Sequence, residues 1–246
     1  MAQTTLRFYG PLNDFLPRSQ RRKPFSNPFI HRVSVKDMIE SLGVPHPEVD
    51  LVLVNGEPAP FSYVVQDADY ISVYPTFYSL SMASFSLVRP KPLTESRFVL
   101  DVHLGKLATS LRMLGFDTLY RNDYGDEELA RISAEQDRIL LTRDRGLLMR
   151  GLVDYGYYVR HTDSQLQLKE VVARFGLEQQ VSPFRRCLVC NTVLESVVKE
   201  AIVDQLPPKV RETHNVFHRC PHCGRLYWEG THYQRMQDFV KGLFAD

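Results

Sequence analysis

Two sets of residues in this 246-residue chain have the types and spacing for chemistry. The first is a run of carboxylates that recurs at the ends of apolar segments. Asp101 closes RFVLD, Asp144 follows RILLT in LLTRDR, and Asp163 follows YYVR in YVRHTD. Asp123 stands shortly before the helical pattern DEELARISAEQ, which Asp126 and Glu127 open. Carboxylates that meet on one rim repel each other unless a divalent cation neutralises them, and ligands that are all oxygen favour Mg²⁺ or Mn²⁺. Such an ion activates water and offsets charge on a leaving oxygen, as phosphodiester cleavage requires. Asp is also a favoured helix N-cap, and capping accounts for any one of these acids taken singly. Three at successive strand ends are harder to explain that way.

The second set is thiol. All four cysteines fall near the C-terminus, as Cys187-Leu188-Val189-Cys190 and Cys220-Pro221-His222-Cys223. Two such pairs can form knuckles whose thiolates complete a tetrahedral site for a structural Zn²⁺. Twenty-nine residues separate the pairs, more than the usual ribbon interval of about 15 to 20, which implies an inserted element over Val193 to Pro208. His218 and His222 are left to the surface or to packing, because four thiolates fill the coordination sphere.

The acids need a frame, and the middle of the chain alternates apolar strands with helical patterns. Strands are expected at 97–101, 116–120, 138–142 and 157–160. Helices are expected at 104–114, 126–136, 146–151 and 165–175, with Gly115 and Gly176 as stops. Alternating β and α units give a parallel sheet with helices on both faces, whose functional groups gather at the carboxyl ends of the strands. The segment 1–80 reads differently. A strand at 4–9, a basic proline-bearing loop at 17–28, a helix at 35–42 capped by Ser34, and strands at 51–54 and 70–74 suggest a β-grasp, with a turn at Asn55-Gly56. The stretch Ser79 to Ser96 holds five serines and two prolines and reads as a linker.

Lys and Arg number 30 against 29 Asp and Glu, so a nucleic acid has to be gripped locally and not by an overall field. Arg143, Arg145, Arg150 and Arg160 alternate with the acids, and Arg185 and Arg186 stand at the entry to the cysteine-bearing segment. These can hold phosphates flanking a scissile one, or pair with neighbouring acids. Tyr227, Trp228, His232, Tyr233 and Arg235 form an aromatic and cationic cluster suited to stacking on bases, and Trp228 serves equally to pack a ribbon hairpin. No apolar run is long enough to span a bilayer, and MAQTTLRFYG lacks the features of a secretory signal. With cysteines that read as metal ligands, a cytoplasmic protein with no membrane partner is expected.

With these residues in view, 97–180 resembles the Mut-seven C-terminal ribonuclease domain, a branch of the PIN-like nucleases. The likeness lies in DVHLGKLATSLRMLGFDTLYRND, GDEELARISAEQDRILLTRDRGLL and YYVRHTDSQLQLKEVV. The resemblance implies Asp101, Asp126 and Asp144 as metal-binding catalytic acids and Asp163 as a fourth. Asp123 and Glu127 are rivals for the second position, and Thr142 matches a hydroxyl that orients a carboxylate or water. It also implies a C-terminal zinc ribbon and RNA as the substrate. The segment 1–75, with VNGEPAP and DADYISVYP, resembles ubiquitin-like sulfur carriers. Those carriers work through a Gly-Gly tail that this chain lacks after Pro75, so the segment reads as a docking or structural domain able to bind a protein partner.

The expected architecture is therefore α/β in three parts. A ubiquitin-like β-grasp covers 1–80, a linker 81–96, a PIN-like nuclease domain 97–180 and a zinc ribbon 181–246. The expected function is divalent-metal-dependent ribonuclease, with a non-catalytic adaptor of RNA or protein as the alternative. The Ser- and Pro-rich stretch is expected to tether the β-grasp, so a chain beginning near Thr94 should fold and retain metal-dependent cleavage of single-stranded RNA, with loss only in partner or substrate choice.

Overall fold

A computed structural model describes residues 1–75, 86–88 and 93–243, apart from the side chains of 232, 235, 239, 241 and 243. In chain order the strands are β1 (Ala2–Phe8), β2 (Phe25–Phe29), β3 (Val49–Val54), β4 (Glu57–Pro58), β5 (Tyr70–Pro75), β6 (Phe98–Leu100), β7 (Thr118–Leu119), β8 (Ile139–Thr142), β9 (Gly156–Tyr158), β10 (Glu195–Val197), β11 (Phe217–Arg219) and β12 (Leu226–Trp228). The helices are α1 (Val35–Ser41), α2 (Gly105–Met113), α3 (Asp126–Glu135), α4 (Arg145–Leu148), α5 (Ser164–Phe175), α6 (Pro208–Thr213) and α7 (Thr231–Leu243). They fall into two compact units, one of 1–103 with 121–160, the other of 104–120 with 161–246.

In the first unit the N-terminal sheet has the order β2-β1-β5-β3-β4. β1 and β5 run parallel while the other pairs are antiparallel, which is the β-grasp arrangement. Alternation along β1 turns Leu6 and Phe8 inward, into a core shared with Met38 and Ile39 of α1 and with Ile71 and Val73 of β5. Ser34 caps α1 as expected, accepting the Asp37 N–H. Asn55 and Gly56 both have positive φ, as a tight hairpin turn needs, and join β3 to β4. The basic stretch expected to be loop contributes β2, whose Pro28 is tolerated because β2 lies at the sheet edge.

The same unit contains β6, β8 and β9, which pair in parallel. Every residue of β6 and β8 is buried, the pattern of strands covered on both faces, and α3 packs against both. β9 stands at the outer edge of this sheet. A short turn at His46–Glu48, just before β3, packs on β9. Gly156 makes room for Leu148 and Val153, which a Cβ there would meet at 2.6 and 3.2 Å.

The N-terminal domain is thus docked against the edge of the parallel sheet, which corrects the expectation of a domain held only by a tether. Most of the Ser79 to Ser96 linker lies outside the described residues. Within it, the Ser86 hydroxyl donates to the Asp50 carbonyl at 2.6 Å and Val88 is buried in the N-terminal core.

In the second unit α2 packs against α5. Gly115 has φ +98°, and a Cβ there would overlap the Ser182 carbonyl oxygen. No other residue stops α2 and admits the returning chain so closely. A three-stranded sheet, β10-β11-β12, forms the ribbon. Its small core is Ile202, Leu206 and Phe217, with Val197, Val210, Leu226 and Trp228 packed around it.

Candidate functional site

The register of the parallel sheet determines where the first acids stand. Leu100 pairs with Leu141, so Asp101 leaves β6 opposite Thr142, and its N–H donates to the Leu141 carbonyl at 3.1 Å. Asp101 is 6% exposed, and its Oδ2 accepts the Thr142 hydroxyl at 2.6 Å. The same Thr142 oxygen accepts the Asp144 N–H at 2.9 Å. One buried hydroxyl therefore links a buried carboxylate to the backbone of the next acid. The Asp144 side chain is exposed and caps α4, its Oδ1 accepting the N–H groups of Gly146 and Leu147 at 2.7 and 3.4 Å.

The remaining acids are placed differently. Asp126 is half exposed at the start of α3 and pairs with Arg150 at 3.6 Å. Glu127 is exposed beside it. Asp123 lies in a bidentate pair with Arg121, which holds its carboxyl below the usual range. In the second unit, Asp163 caps α5 through Oδ1, accepting from Gln165 and Leu166. Among the described residues of the first unit, Asp101, Asp123, Asp126, Glu127 and Asp144 do not come together as a set of metal-ligand atoms. Capping bonds and arginine pairs hold Asp123, Asp126, Asp144 and Asp163 where they stand. Asp101 has the oxygen chemistry a hard cation takes, with Thr142 fixing its orientation.

The cysteines do come together. The Sγ atoms of Cys187, Cys190, Cys220 and Cys223 all lie within 4.8 Å of one another, and all four thiols are free. The two knuckles are built alike. The Cys187 N–H donates to the Thr192 carbonyl and the Asn191 N–H to the Cys187 carbonyl, just as Cys220 pairs with Arg225 and Gly224 with Cys220. Asn191 and Gly224 therefore occupy equivalent positions, with φ of +69° and +73°. Such a set of four thiols could hold a zinc ion.

Sequence reasoning missed the groups that secure this centre. The Tyr227 hydroxyl stands 3.2 Å from the Cys187 sulfur and accepts the Leu188 N–H at 3.1 Å. Burial opposes a Cys187 thiolate, but the Tyr227 hydroxyl and the amides of Cys190 and Val189 outweigh it, lowering the pKa from 9.0 to about 6. The buried Arg112 donates to the carbonyls of Leu188 and Val189 at 3.1 and 2.7 Å and to that of Thr118 at 2.9 Å. Asn191 accepts the Thr118 N–H at 2.9 Å and donates to Asp117 at 2.8 Å. The one signal for Asn191 is its place four positions after Cys187, where the second pair has glycine.

Several residues expected to contact RNA have protein partners. Arg143 Nη1 donates to the carbonyls of Val159 and Arg160 at 2.9 and 2.7 Å. Arg145 lies over the rings of Phe15 and Tyr158. Burial alone would lower the pKa of Arg160, but Glu48, Tyr157 and Asp14 reverse that and raise it above the usual arginine range. Arg186 donates to the carbonyls of Gly115 and Asn191, whereas Arg185 is exposed. Trp228 packs on the ribbon core, and Tyr233 lies against Phe184. His222 is exposed and His218 partly buried, while the side chains of His232 and Arg235 lie outside the described residues.

The Mut7-C RNAse domain matches residues 96–240, more than half of the chain. The chain belongs to that family. The Mut7-C ubiquitin domain matches residues 1–81, in agreement with the β-grasp described above. Neither a curated relative nor a solved structure matches the chain. Family membership points to a ribonuclease in general and, through the N-terminal domain, to protein interaction. Among the described residues, no helix is long and apolar enough to cross a membrane.

Proposed function

We propose that the chain is a divalent-metal-dependent ribonuclease hydrolysing RNA phosphodiester bonds, with Asp101, Asp126 and Asp144 as its metal-binding acids. The observation that carries this reading is the Thr142 hydroxyl, held between the Asp101 carboxylate and the Asp144 N–H at the ends of adjacent parallel strands. A buried carboxylate with a dedicated hydroxyl donor is oriented, and helix capping gives no reason to bury one. Mg²⁺ or Mn²⁺ bound there would activate water and offset charge on the leaving oxygen. The chain's own part is to hold Asp101 in one orientation through Thr142 and to present the exposed Asp144 and Asp126 to solvent and substrate. Asp163 is the fourth acid of the proposal, and Asp123 and Glu127 are alternates for the second position.

Arg185 is assigned a phosphate contact because its side chain is exposed. The four thiols hold a structural Zn²⁺ in the ribbon, the β-grasp carries any protein partner, and thiols kept free for a metal suit a reducing cytoplasm. The adaptor reading is favoured by a different observation, the capping of α4 and α5 by Asp144 and Asp163.

Asp144→Asn separates the two readings, since asparagine caps as well as aspartate but lacks the charge. Cleavage of single-stranded RNA in Mn²⁺ should fall by on the order of 100-fold or more while circular dichroism stays unchanged. Undiminished cleavage by the folded variant would remove Asp144 from the site. A parent protein that binds RNA without metal-stimulated cleavage would establish the adaptor.

A further inference from the structure

The loop carrying Asp144 is held by arginines on either side, and each is secured by groups that lead back to the N-terminal domain. Glu48, at the end of the turn before β3, is 1% exposed. Its Oε1 accepts the N–H of Tyr158 on the edge strand β9 at 2.7 Å, and its Oε2 stands 3.2 Å from Arg160 Nη2. Arg160 also reaches Asp14 at 3.4 Å and lies over the Phe15 ring.

From this anchored segment two connections run to the acid loop. The Val159 N–H donates to the Thr142 carbonyl at 2.8 Å, and Arg143 donates to the carbonyls of Val159 and Arg160. On the other flank of Asp144, Arg145 lies over Phe15 and Tyr158, and its Nη1 is 3.4 Å from the Phe15 carbonyl. Thr142, Arg143 and Arg145 thus bracket Asp144, and each is bound to a segment that Glu48 or Phe15 holds in place.

We propose that Glu48 is a positioning residue for the Asp144 loop, acting through Tyr158 and Arg160, so that the ubiquitin-like domain is a working part of the nuclease site. The consequence for catalysis rests on the assignment of Asp144 above, but the mechanical coupling does not. A rigid acid loop matters because small misplacements of a catalytic group cost large factors in rate. The bonds at 143, 145 and 160 also explain why these arginines have protein partners: they transmit the placement of one domain to the loop of the other.

The test uses the full-length protein. Glu48→Gln keeps the shape and the acceptor for Tyr158 but removes the charge facing Arg160. Amide hydrogen exchange over 142–148 should quicken by about tenfold, with β1, β5 and α3 unchanged. On single-stranded RNA in Mn²⁺, kcat should fall about 10- to 100-fold with KM little altered, a split that loss of folded protein alone does not give once rates are referred to folded enzyme. If Glu48→Gln does not fold, Phe15→Leu withdraws the ring beneath Arg145 and Arg160, keeps an apolar core residue, and should quicken exchange in the same loop. Unchanged exchange at 142–148 in a folded variant overturns the proposal whatever cleavage shows. Faster exchange there in a protein whose parent does not cut RNA upholds the coupling and rejects the nuclease reading of the acids.

Discussion

Thr142 is the residue on which the candidate site turns, and the sequence marks it only through resemblance. Asp101, Asp144 and Asp163 are legible because each comes after an apolar run, and the parallel register then places Asp101 opposite Thr142. Their separate partners are not legible. Nothing local distinguishes Asp101, buried with a hydroxyl donor, from Asp123, exposed and paired with Arg121. Replacing Thr142 with valine keeps the volume and the strand propensity while removing the bond to a buried carboxylate. The expected cost is about 1–3 kcal/mol in stability, the penalty for a buried polar group left without its partner. Cleavage should also fall, because Asp101 loses its fixed orientation. Urea unfolding and RNA cleavage of Thr142→Val measure the two effects, and an unchanged midpoint would mean that Asp101 finds another donor.

At the scale of elements, apolar periodicity places most helices and strands of the middle segment within a few positions of where they stand. It does not reveal β2 or β4. β2 carries Pro28 and only partly buried apolar positions, so its alternation is weak, and β4 is a single short pairing across a turn. The two cysteine knuckles are plain from their spacing, but the anchor beneath the first is not, because Arg112 and Asp117 lie far from it in sequence. Asn191→Gly isolates that anchor. Glycine accepts the positive φ that the knuckle needs, as Gly224 does in the second, while the bonds to Thr118 and Asp117 disappear. Zinc content by metal analysis should stay at about one ion per chain, and the thermal midpoint should drop by an amount equivalent to roughly 1–2 kcal/mol. Loss of zinc from this variant would show that the anchor shapes the thiol site itself. By contrast Cys220→Ser, or a strong chelator, should remove the metal and loosen the ribbon core around Ile202, Leu206 and Phe217.

The docking of the N-terminal domain belongs to the whole molecule, and no sequence pattern announces it. Glu48 lies among prolines in VPHPEVDL, outside any apolar period, and its partners Tyr158 and Arg160 stand more than a hundred positions away. Contacts of that range leave no periodic trace. A composition rich in serine and proline after Pro75 suggests independence instead. The structure supports a different outcome for a chain that begins near Thr94. Such a chain loses the turn at His46–Glu48 and leaves β9, an edge strand of a parallel sheet, with its Tyr158 N–H unpaired and exposed. Exposed edges of that kind recruit other strands. The truncated chain should therefore be less soluble and more self-associated than the full-length protein at the same concentration. Adding the separate 1–81 segment should restore part of its solubility by recovering the edge. Light scattering of the two preparations, with and without the added segment, decides the matter. A monodisperse, folded fragment from Thr94 would show that the edge protects itself and that the domain's contribution is confined to placing the Asp144 loop.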